Sequence, residues 1–525
     1  MTLRVYNTLT KTKEPLETVN PGRVGIYLCG PTVYKPSHIG HMVGPVIFDA
    51  IKRYLTYCGY QVTLVVNITD VDDKLIAESQ RRGIPMSQVA AEMTADYHRN
   101  LEAMGIDTID HFPKATEHMD EIIRFTQQLV ERGFAYQADG DVYFDVGRDP
   151  DYGKLSHRSL ESLQGEGGGM AERKRSPGDF ALWKSAKPGE PSWESPWGAG
   201  RPGWHIECSA MSRRLLGETF DVHGGGLDLV FPHHENEVAQ SECCHGKPMA
   251  RYWMHNGLMQ ASSEVGKVGG RHTREAAEGD QAAQEAGKMG KSKGASPFSE
   301  LRQRFEPETI RFFLLSTHYR RPIDYSEERI NEVGAGLATF YRFFERYKRI
   351  TGEDYYQVSS AERREQGQID TAGGEFLQTV SDHRRKFLDL MDDDFNTGGA
   401  IGELFQLVSA LNRFVDVHKL EDPQQRAASA EAVARLKIGV RALRELSATV
   451  GMFRQPVHAK AGSADDALVG SLVQVLIDER AEARKAKNFA SADRIRQRLK
   501  ELGITLEDRP GGTDWTRASS SQTTP

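Results

Sequence analysis

The chain is poor in cysteine and has no long apolar run. Its five cysteines are unevenly spaced along 525 residues, at Cys29, Cys58, Cys208, Cys243 and Cys244. Such sparse cysteines exclude a disulfide framework and favour a reducing compartment. No uncharged apolar stretch approaches the roughly 20 residues that span a bilayer, and the N-terminus lacks an apolar signal core. We therefore expect a cytoplasmic protein without a membrane segment.

Positive charge is not in excess either. Lys and Arg total 67 against 74 Asp and Glu, a net charge of −7, so any nucleic-acid partner must meet a local patch. Hydrophobic residues at 38%, together with 50 glycines, are typical of a folded globular chain and exclude a disordered or fibrous one. A length of 525 residues predicts about three to four domains.

A β-α-β pattern lies near the start of the chain. Residues 23–29 predict a buried strand, and apolar residues from Val43 to Leu55 then recur with helical period until Gly59. The β-branched run at 61–67 predicts a second buried strand, so the unit indicates a parallel α/β sheet of the Rossmann type. Short apolar runs return at 204–259 after a stretch rich in Gly, Pro, Ser and Trp. We expect one nucleotide-binding fold split by an insertion.

The remainder of the chain predicts a helical bundle and a small final domain. Residues 261–287 are of low complexity and are expected to be mobile. From Pro307 to Met452 the apolar residues keep a helical period, and a linker follows at 455–465. The expected boundaries are an α/β domain at 1–115 and 204–260, an inserted subdomain at 116–203, a lysine-loop region at 261–320, a helical bundle at 321–455, a C-terminal domain at 466–517 and a disordered tail at 518–525.

Two histidines occupy the position where open α/β sheets bind ligands. Residues 38–41 spell His-Ile-Gly-His between the first strand and the helix, at the carboxyl end of the strand. The ring N–H groups of His38 and His41 are suited to phosphate oxygens. Pro45 lacks an amide donor, so the helix either begins after His38 or has a kink. Taken alone, so short a string is more often a surface turn.

A second string lies far along the chain. Residues 288–292 spell Lys-Met-Gly-Lys-Ser between glycines, and the ammonium groups of Lys288 and Lys291 are suited to a triphosphate. Alone, it is more often a solvated lysine loop. In this order and on this fold, the two strings resemble the paired signatures of class I aminoacyl-tRNA synthetases, and nucleotide binding is the interpretation.

A third group of residues has the chemistry of a metal site. Cys29 ends the first strand, Cys208 lies in GWHIECSAM, and FPHHENE places His233 and Glu237 four residues apart on one helical face. Two thiolates, an imidazole and a carboxylate are a suitable tetrahedral set for zinc. Taken singly, each residue is more often a buried thiol or a surface polar group. The competing cluster is Cys243, Cys244 and His245, but adjacent cysteines rarely share one ion, so we interpret it as incidental.

Motifs along nearly the whole chain resemble the cysteinyl-tRNA synthetase family. They are LCGPTVYKPSHIGH, VNITDVDDKLI, DFALWKS, GWHIECSAM, DVHGGGLDLVFPHHENE, KMGKS, DDDFNTGGAIGELF and LEDRPGGTDW. The resemblance implies activation of L-cysteine by ATP to cysteinyl-adenylate, with Mg²⁺ accompanying the nucleotide, and transfer to cysteine tRNA. A monomer is expected.

The resemblance also implies roles for particular residues. One Zn²⁺ would be held by Cys29, Cys208, His233 and Glu237, with the substrate thiolate in a further coordination position. His38 and His41 would stabilise the charged transition state, and Lys288 and Lys291 would hold the phosphates. The remaining contacts implied are Thr69 and Trp204 for the amino acid, and His223 and Asp228 for ATP.

The chain departs from the family pattern at the lysine loop. Gly290 stands where the family has serine, and the stretch before it is longer. Because glycine adds backbone freedom, ordering this loop over ATP should cost up to about 1 kcal/mol more. We expect activation to be slowed and not abolished.

The C-terminal region carries a basic segment. Residues 480–500 contain eight Lys or Arg against two acidic residues, a net charge of +6. Such a helix is most often a solvated face, but here an aromatic follows, and aromatics beside positive charge bind single-stranded loops. We expect the bundle and this domain to bind tRNA stem and anticodon, with contacts from Arg484, Lys487, Arg494, Arg498 and Trp515.

Two other functions remain open from the sequence. A ligase that joins cysteine to an amino sugar, as in mycothiol synthesis, would share the activation half but needs no anticodon domain. The residues after 390 weigh against it. A non-catalytic, zinc-bearing RNA-binding protein descended from a synthetase is the second alternative, and the presence of His38, His41 and Lys291 weighs against that.

Overall fold

The computed structural model describes residues 2–158, 173–261, 296–456, 464–509 and 512–517. Several sequence predictions fall outside these residues. They are the lysine string with Lys288, Gly290 and Lys291, the low-complexity segment from residue 262, the linker at 457–463 and the tail at 518–525. The domain boundaries stay predictions, and the architecture is described below by its elements.

The strands in chain order are β1 (Arg4–Asn7), β2 (Thr12–Pro15), β3 (Arg23–Leu28), β4 (Gln61–Val66), β5 (Ala135–Ala138), β6 (Asp141–Phe144), β7 (Phe180–Ser185), β8 (Gly200–Pro202), β9 (Phe220–Gly226), β10 (Ala250–Asn256), β11 (Met259–Ala261), β12 (Ile323–Tyr325), β13 (Ile504–Arg509) and β14 (Gly512–Arg517). The α-helices are α1 (Gly40–Tyr57), α2 (Asp73–Arg82), α3 (Met86–Ala103), α4 (Met119–Glu131), α5 (Trp204–Leu216), α6 (Glu235–His245), α7 (Phe298–Arg304), α8 (Pro307–Leu315), α9 (Glu327–Thr351), α10 (Glu375–Asp392), α11 (Thr397–Val417), α12 (Pro423–Ala428), α13 (Ala430–Thr449), α14 (Ala464–Lys485) and α15 (Phe489–Glu501). None of these described helices is both long and apolar enough to cross a membrane.

A four-stranded parallel sheet forms the centre of the first part of the chain. Its strand order is β10-β9-β3-β4, so strands made before and after the insertion share one sheet. The predicted β-α-β unit and the split fold are therefore confirmed. Strands β3 and β4 end in consecutive buried residues, as expected for a sheet covered on both faces. The chain reverses direction across the sheet at β3, which leaves a crevice at its carboxyl end.

Helix α1 shows how the first histidine string is placed. The helix begins at Gly40, so His38 precedes it and His41 lies in its first turn. Pro45 lies inside the helix, where its missing N–H removes one hydrogen bond near the N-terminal end. Of the two possibilities left by the sequence, the later helix start is the one observed.

The insertion forms an antiparallel sheet with the order β5-β6-β7-β8. Its buried residues belong to the same hydrophobic cluster as residues of α4, α5 and α6, including Phe144, Trp183, Phe125 and Met211. The insertion therefore packs continuously against the helices behind the central sheet.

Helices follow the central sheet, as the apolar period predicted. Helices α8 to α11 and α13 share a hydrophobic cluster with α1, and β11 pairs in parallel with β12 beside the central sheet. The final helices and the β13-β14 hairpin have a separate small core of Val473, Ile477, Leu499, Ile504 and Leu506.

Candidate active site and metal centre

A cavity of about 460 Å³ lies at the carboxyl ends of the central strands. Its lining includes Cys29, His38, His41, Trp204 and Asp228. Loops after β3, β9 and β10 form its walls, because the carboxyl ends of parallel strands meet at one edge of a sheet. The cavity therefore joins residues that are nearly 200 positions apart in sequence.

The two histidines of the first string have their rings held by backbone amides. His38 Nδ1 accepts from the Gly40 N–H at 3.1 Å, and His41 Nδ1 accepts from the His38 N–H at 3.1 Å. Their ring centroids are 3.9 Å apart. Because a neutral imidazole carries one proton, Nδ1 acceptors leave the proton on Nε2 in both rings. Both Nε2 atoms are then hydrogen-bond donors.

Four candidate metal ligands lie together beside this cavity. Single ligand atoms from Cys29, Cys208, His233 and Glu237 all lie within 4.8 Å of one another. The two sulfur atoms are 3.8 Å apart, and Glu237 Oε1 is 3.5 Å from Cys29 Sγ and 3.0 Å from His233 Nε2. Cys29 follows β3, Cys208 is on α5 and Glu237 is on α6, so three separate elements form the cluster. All but Cys29 are buried.

The cluster keeps opposite charges together away from water. The hydrogen bond from Cys29 lowers the pKa of the Cys208 thiol to about 6, whereas burial raises the pKa of Cys29. Burial opposes ionisation of Glu237, but His223 and His233 outweigh it and lower its pKa to about 2. Burial also opposes the charge on His233, yet Glu237 and Cys208 raise its pKa to about 10. The side chains of Cys208, Glu237 and His233 thus shift one another's pKa in the direction that favours the charged forms.

Further histidines, not identified from the sequence, surround this cluster. His234 Nε2 is 3.3 Å from Cys29 Sγ, its Nδ1 is 2.8 Å from His255 Nε2, and His255 Nδ1 is 2.8 Å from Thr8 Oγ1. Burial lowers the pKa of His255 to about 3 and that of His234 well below its usual value, so both rings are neutral. With the Thr8 hydroxyl as first donor, this chain of hydrogen bonds directs an N–H toward the Cys29 sulfur. His205 contacts His233 in the same way, Nδ1 to Nδ1, at 2.9 Å.

The other predicted contacts are placed differently with respect to the cavity. Trp204 and Asp228 line it directly. Thr69 is buried behind the wall, where its hydroxyl donates to Glu207 at 3.2 Å. His223 is buried with its Nε2 2.8 Å from Glu237 Oε2, and its Nδ1 finds no hydrogen-bond partner among the described residues. His223 therefore contacts a candidate metal ligand directly, whereas Thr69 contacts Glu207, the residue before the candidate ligand Cys208.

The competing thiol cluster lies apart from this site. Within the described ranges, two groups of side chains come close enough to share an ion, and both contain Cys29 and Glu237. Cys243, Cys244 and His245 belong to neither, and burial raises the pKa of the Cys243 thiol to about 12.

The basic C-terminal residues are mostly exposed on α14, α15 and the turn between them. Arg494 and Arg498 are exposed on α15, and Lys487 lies in the turn with a left-handed backbone, φ 57°. Arg484 pairs with Asp508 at 3.2 Å, and Trp515 is half-buried against the small core. Positive charge and part of one aromatic ring thus occupy a single small domain.

Comparison with known proteins identifies the class. Residues 15–267 match the family described as tRNA synthetases class I (C) catalytic domain, residues 386–454 a DALR domain, and residues 470–515 a cysteinyl-tRNA ligase anticodon binding domain. A solved structure of Mycobacterium tuberculosis methionyl-tRNA synthetase in complex with methionyl-adenylate has the same fold, with a TM-score of 0.56 at 15% identity over 82% of this chain and 90% of that one. The chain is a class I aminoacyl-tRNA synthetase.

Relatives of nearly equal length narrow the assignment. The cysteine–tRNA ligase of Geobacter sulfurreducens is 45% identical over 98% of this chain and 99% of its own length. That of Thermococcus onnurineus is 42% identical over 99% of this chain and 100% of its own length. The chain belongs to the cysteine–tRNA ligase family, and the resemblance seen in the sequence is confirmed.

Proposed function

We propose that this chain activates L-cysteine with ATP, transfers it to cysteine tRNA, and selects the substrate thiolate through Zn²⁺ at Cys29, Cys208, His233 and Glu237. The observation that carries the proposal is the convergence of these four ligand atoms beside a cavity that His38 and His41 line. A monomeric state and a cytoplasmic location remain expectations.

The four residues suit zinc in chemistry and spacing. Two sulfur ligands of one tetrahedral zinc, each about 2.3 Å from it, lie about 3.8 Å apart. The two sulfur atoms of the cluster are 3.8 Å apart. When bound, zinc would lower the pKa of a substrate thiol and favour soft sulfur over a hydroxyl. The Trp204 ring stacks on His233, and His205 holds the other nitrogen of the same imidazole, so the orientation of this ligand is fixed in advance.

Selection against serine explains why such a site is needed. Serine differs from cysteine by one atom, and pocket shape separates near-isosteres by only about 100-fold, whereas protein synthesis needs about 10⁴ to 10⁵. Zinc at this site would provide the difference, because it favours a soft thiolate over a neutral hydroxyl. The neutral rings of His234 and His255 are hydrogen-bonded to each other and reach Cys29 through His234. They therefore add no charge beside Cys29.

The histidine string supplies donors for the activation step. The cysteine carboxylate is already ionised at neutral pH, so it needs no base to attack the α-phosphate of ATP, and pyrophosphate leaves as the bond between the α- and β-phosphates breaks. The backbone amides that bind each Nδ1 direct protonated Nε2 atoms to phosphate oxygens, where negative charge grows in the transition state. Mg²⁺ accompanying ATP would neutralise further phosphate charge, and we assign Lys288 and Lys291 the same role from the sequence.

The later part of the chain favours tRNA as the acceptor. A ligase for an amino sugar needs neither a DALR domain nor an anticodon binding domain, and this chain matches both, at 386–454 and 470–515. Exposed Arg494 and Arg498, in the same small domain as Trp515, are suited to a single-stranded loop.

Three measurements on the purified chain test the proposal. We expect ATP–pyrophosphate exchange with cysteine, at least about 10⁴-fold slower exchange with serine, and charging of cysteine tRNA. Exchange without charging would favour the amino-sugar ligase, and neither activity would favour a binding protein. Elemental analysis should find one zinc per chain, and undiminished discrimination between cysteine and serine by zinc-free material would refute the proposed selection.

A further inference from the structure

A buried carboxylate connects three distant parts of the chain. Asp394 is completely buried in the turn between α10 and α11, with a left-handed backbone, φ 69°. Its Oδ1 accepts from the Tyr6 N–H at 2.8 Å and the Tyr319 hydroxyl at 2.7 Å, and its Oδ2 accepts from Arg320 Nε at 2.7 Å. The carboxylate of one bundle residue therefore holds the N-terminal strand β1 and the segment 318–321.

Segment 318–321 supports one wall of the active-site cavity. The Gly257 N–H donates to the Tyr319 carbonyl at 2.8 Å, and the Ile323 N–H donates to the Leu258 carbonyl at 3.0 Å. A Cβ added to Gly257 would lie 2.1 Å from the Arg321 carbonyl oxygen, so the two backbones are in close contact. A shift of the segment must therefore move the wall.

The wall that segment 318–321 supports lines the same cavity as the histidine string. Gly257, Leu258 and Met259 line the cavity that contains His38 and His41. The candidate metal ligands lie on other segments of the chain, namely the residue after β3, helix α5, helix α6 and the turn before α6. A Cβ on Gly226 would lie 3.6 Å from Leu258 Cδ2, so this wall packs beside the loop that carries Asp228, a residue we assign to ATP.

The turn that carries Asp394 is itself fixed to the bundle. Asp392 accepts from the Tyr54 hydroxyl of α1 at 2.6 Å and from Arg364 through two bonds of 2.8 Å. At the start of α11, a Cβ on Gly398 would lie 2.7 Å from the Ser316 carbonyl oxygen. The position of α11 and the position of the 318–321 segment are therefore linked.

We propose that Asp394 is a positioning residue that sets the nucleotide end of the active site through Tyr319 and Arg320, an inference that rests on the proposed function. Asp394 orients Tyr319 and Arg320, and the Tyr319 carbonyl in turn holds the backbone of Gly257. Asp394 itself touches no reacting atom. Buried hydrogen bonds to a charged group are among the strongest in proteins, and removal of the charge weakens the bonds that Asp394 accepts from Tyr319 and Arg320. The contact with Tyr6 matters less, because β1 is also held by β2, Arg251 and Trp253.

The test compares Michaelis constants in full-length variants by ATP–pyrophosphate exchange. We expect Asp394→Asn to raise the KM for ATP about tenfold and to change the KM for cysteine less than about twofold. Tyr319→Phe removes one hydrogen bond and should raise the KM for ATP about threefold. Combining the two should raise it less than the product of the single effects, because both act through one contact.

The matched control is Asp393→Asn, which makes the same change at the next residue. Asp393 is exposed and pairs with Lys13 at 2.8 Å, so both Michaelis constants should stay as in the parent chain. The number of active sites, counted from the burst of adenylate formation, separates a folding defect from a positioning effect. If Asp394→Asn does not fold, Tyr319→Phe carries the test alone.

The outcomes distinguish this inference from the function on which it rests. Equal changes in the two Michaelis constants, or fewer active sites with both constants unchanged, would mean that Asp394 only holds the fold and would overturn the inference. An active parent chain with unaffected variants would do the same. A parent chain without cysteine-dependent exchange would contradict the proposed function and this inference with it.

Discussion

The indole ring of Trp204 stacks on the imidazole of His233, with centroids 4.2 Å apart and planes 25° apart. Trp204 is 39% exposed at the cavity, whereas His233 is buried behind it. Trp204 begins α5, and Cys208 follows it four residues later on the same face of that helix. One helix therefore supplies both a candidate ligand and the aromatic cover of the cluster.

Replacing Trp204 should weaken cysteine binding more than ATP binding. We expect Trp204→Ala to raise the KM for cysteine at least about tenfold. The substitution removes the ring that stacks on the candidate ligand His233. Zinc content should stay near one per chain, because the four ligands remain. The exchange assay measures both substrates, and Trp193→Ala in the insertion is the control. An unchanged KM for cysteine would exclude a substrate-facing role for this ring.

Removing one candidate ligand should remove the metal. We expect Cys208→Ser to reduce bound zinc to below about 0.1 per chain and to slow exchange at least about 10³-fold, because a serine hydroxyl is a poor zinc ligand. Cys243→Ser removes a thiol outside the cluster and should retain both metal and activity. Elemental analysis and exchange report the two effects. The reverse pattern would favour the Cys243, Cys244 and His245 cluster.

Acid should weaken the junction between α1 and α8. Burial opposes the charge on Asp49, but Arg311 and Arg53 outweigh it and lower its pKa. Because the folded pKa lies below the unfolded value of about 3.9, the stabilisation is present above that pH and is lost as the pH falls through the folded pKa. We expect Asp49→Asn to cost about 3 kcal/mol at pH 7, since it leaves buried Arg311 poorly paired.

Thermal unfolding at several pH values measures this effect. The difference in Tm between the parent chain and Asp49→Asn should be largest at neutral pH and should shrink below about pH 4. Asp382→Asn removes an exposed pair with Arg385 and should leave the Tm nearly unchanged at every pH. A Tm difference that grows in acid would contradict the assignment.

Binding of tRNA should depend strongly on salt and on the C-terminal arginines. We expect Arg494→Ala and Arg498→Ala each to lower the slope of log affinity against log salt by about 0.7, one phosphate contact on a single strand. Arg81→Ala removes an exposed arginine from α2, far from this domain in sequence, and should leave the slope unchanged. Titrations from 50 to about 200 mM salt measure the slopes. Equal slopes in all variants would place the contacts elsewhere.

Restoring serine in the lysine string should speed activation. Gly290 adds backbone freedom worth up to about 1 kcal/mol, so Gly290→Ser should raise the exchange rate by up to about fivefold. Lys288 and Lys291 are unchanged in this variant, so the charge of the string stays constant. An unchanged rate of pyrophosphate exchange would show that loop ordering does not limit this step.

The central fold could be predicted because its signals are local. The apolar period from Val43 to Leu55 and the β-branched run at 61–67 each lie within one element, and the structure has α1 at Gly40–Tyr57 and β4 at Gln61–Val66. The helix start was left open by Pro45, since a proline is compatible with either a later start or a kink.

The surroundings of the metal cluster could not be predicted in the same way. His205, His234 and His255 come from α5, the turn before α6 and β10, and only the packing of these elements brings their rings together. The doubled histidine at 233–234 was the available signal, but one sequence does not tell which ring faces which sulfur. Likewise, nothing near Asp394 in the sequence indicates that Tyr6 and Tyr319 are its partners. Tyr6 lies 388 residues before Asp394 and Tyr319 lies 75 residues before it, so only the folded chain brings them together.

The division of the central sheet has a consequence for how the protein is made. Cys29 is synthesised 179 residues before Cys208. Strand β9, which lies beside β3 in the sheet, is synthesised only after the whole insertion. A nascent chain that stops inside the insertion carries one of the four candidate ligands and cannot retain an ion at this site. The candidate ligand set is complete only when Glu237 has been synthesised, so a truncated chain that ends inside the insertion lacks the arrangement that we propose for telling cysteine from serine.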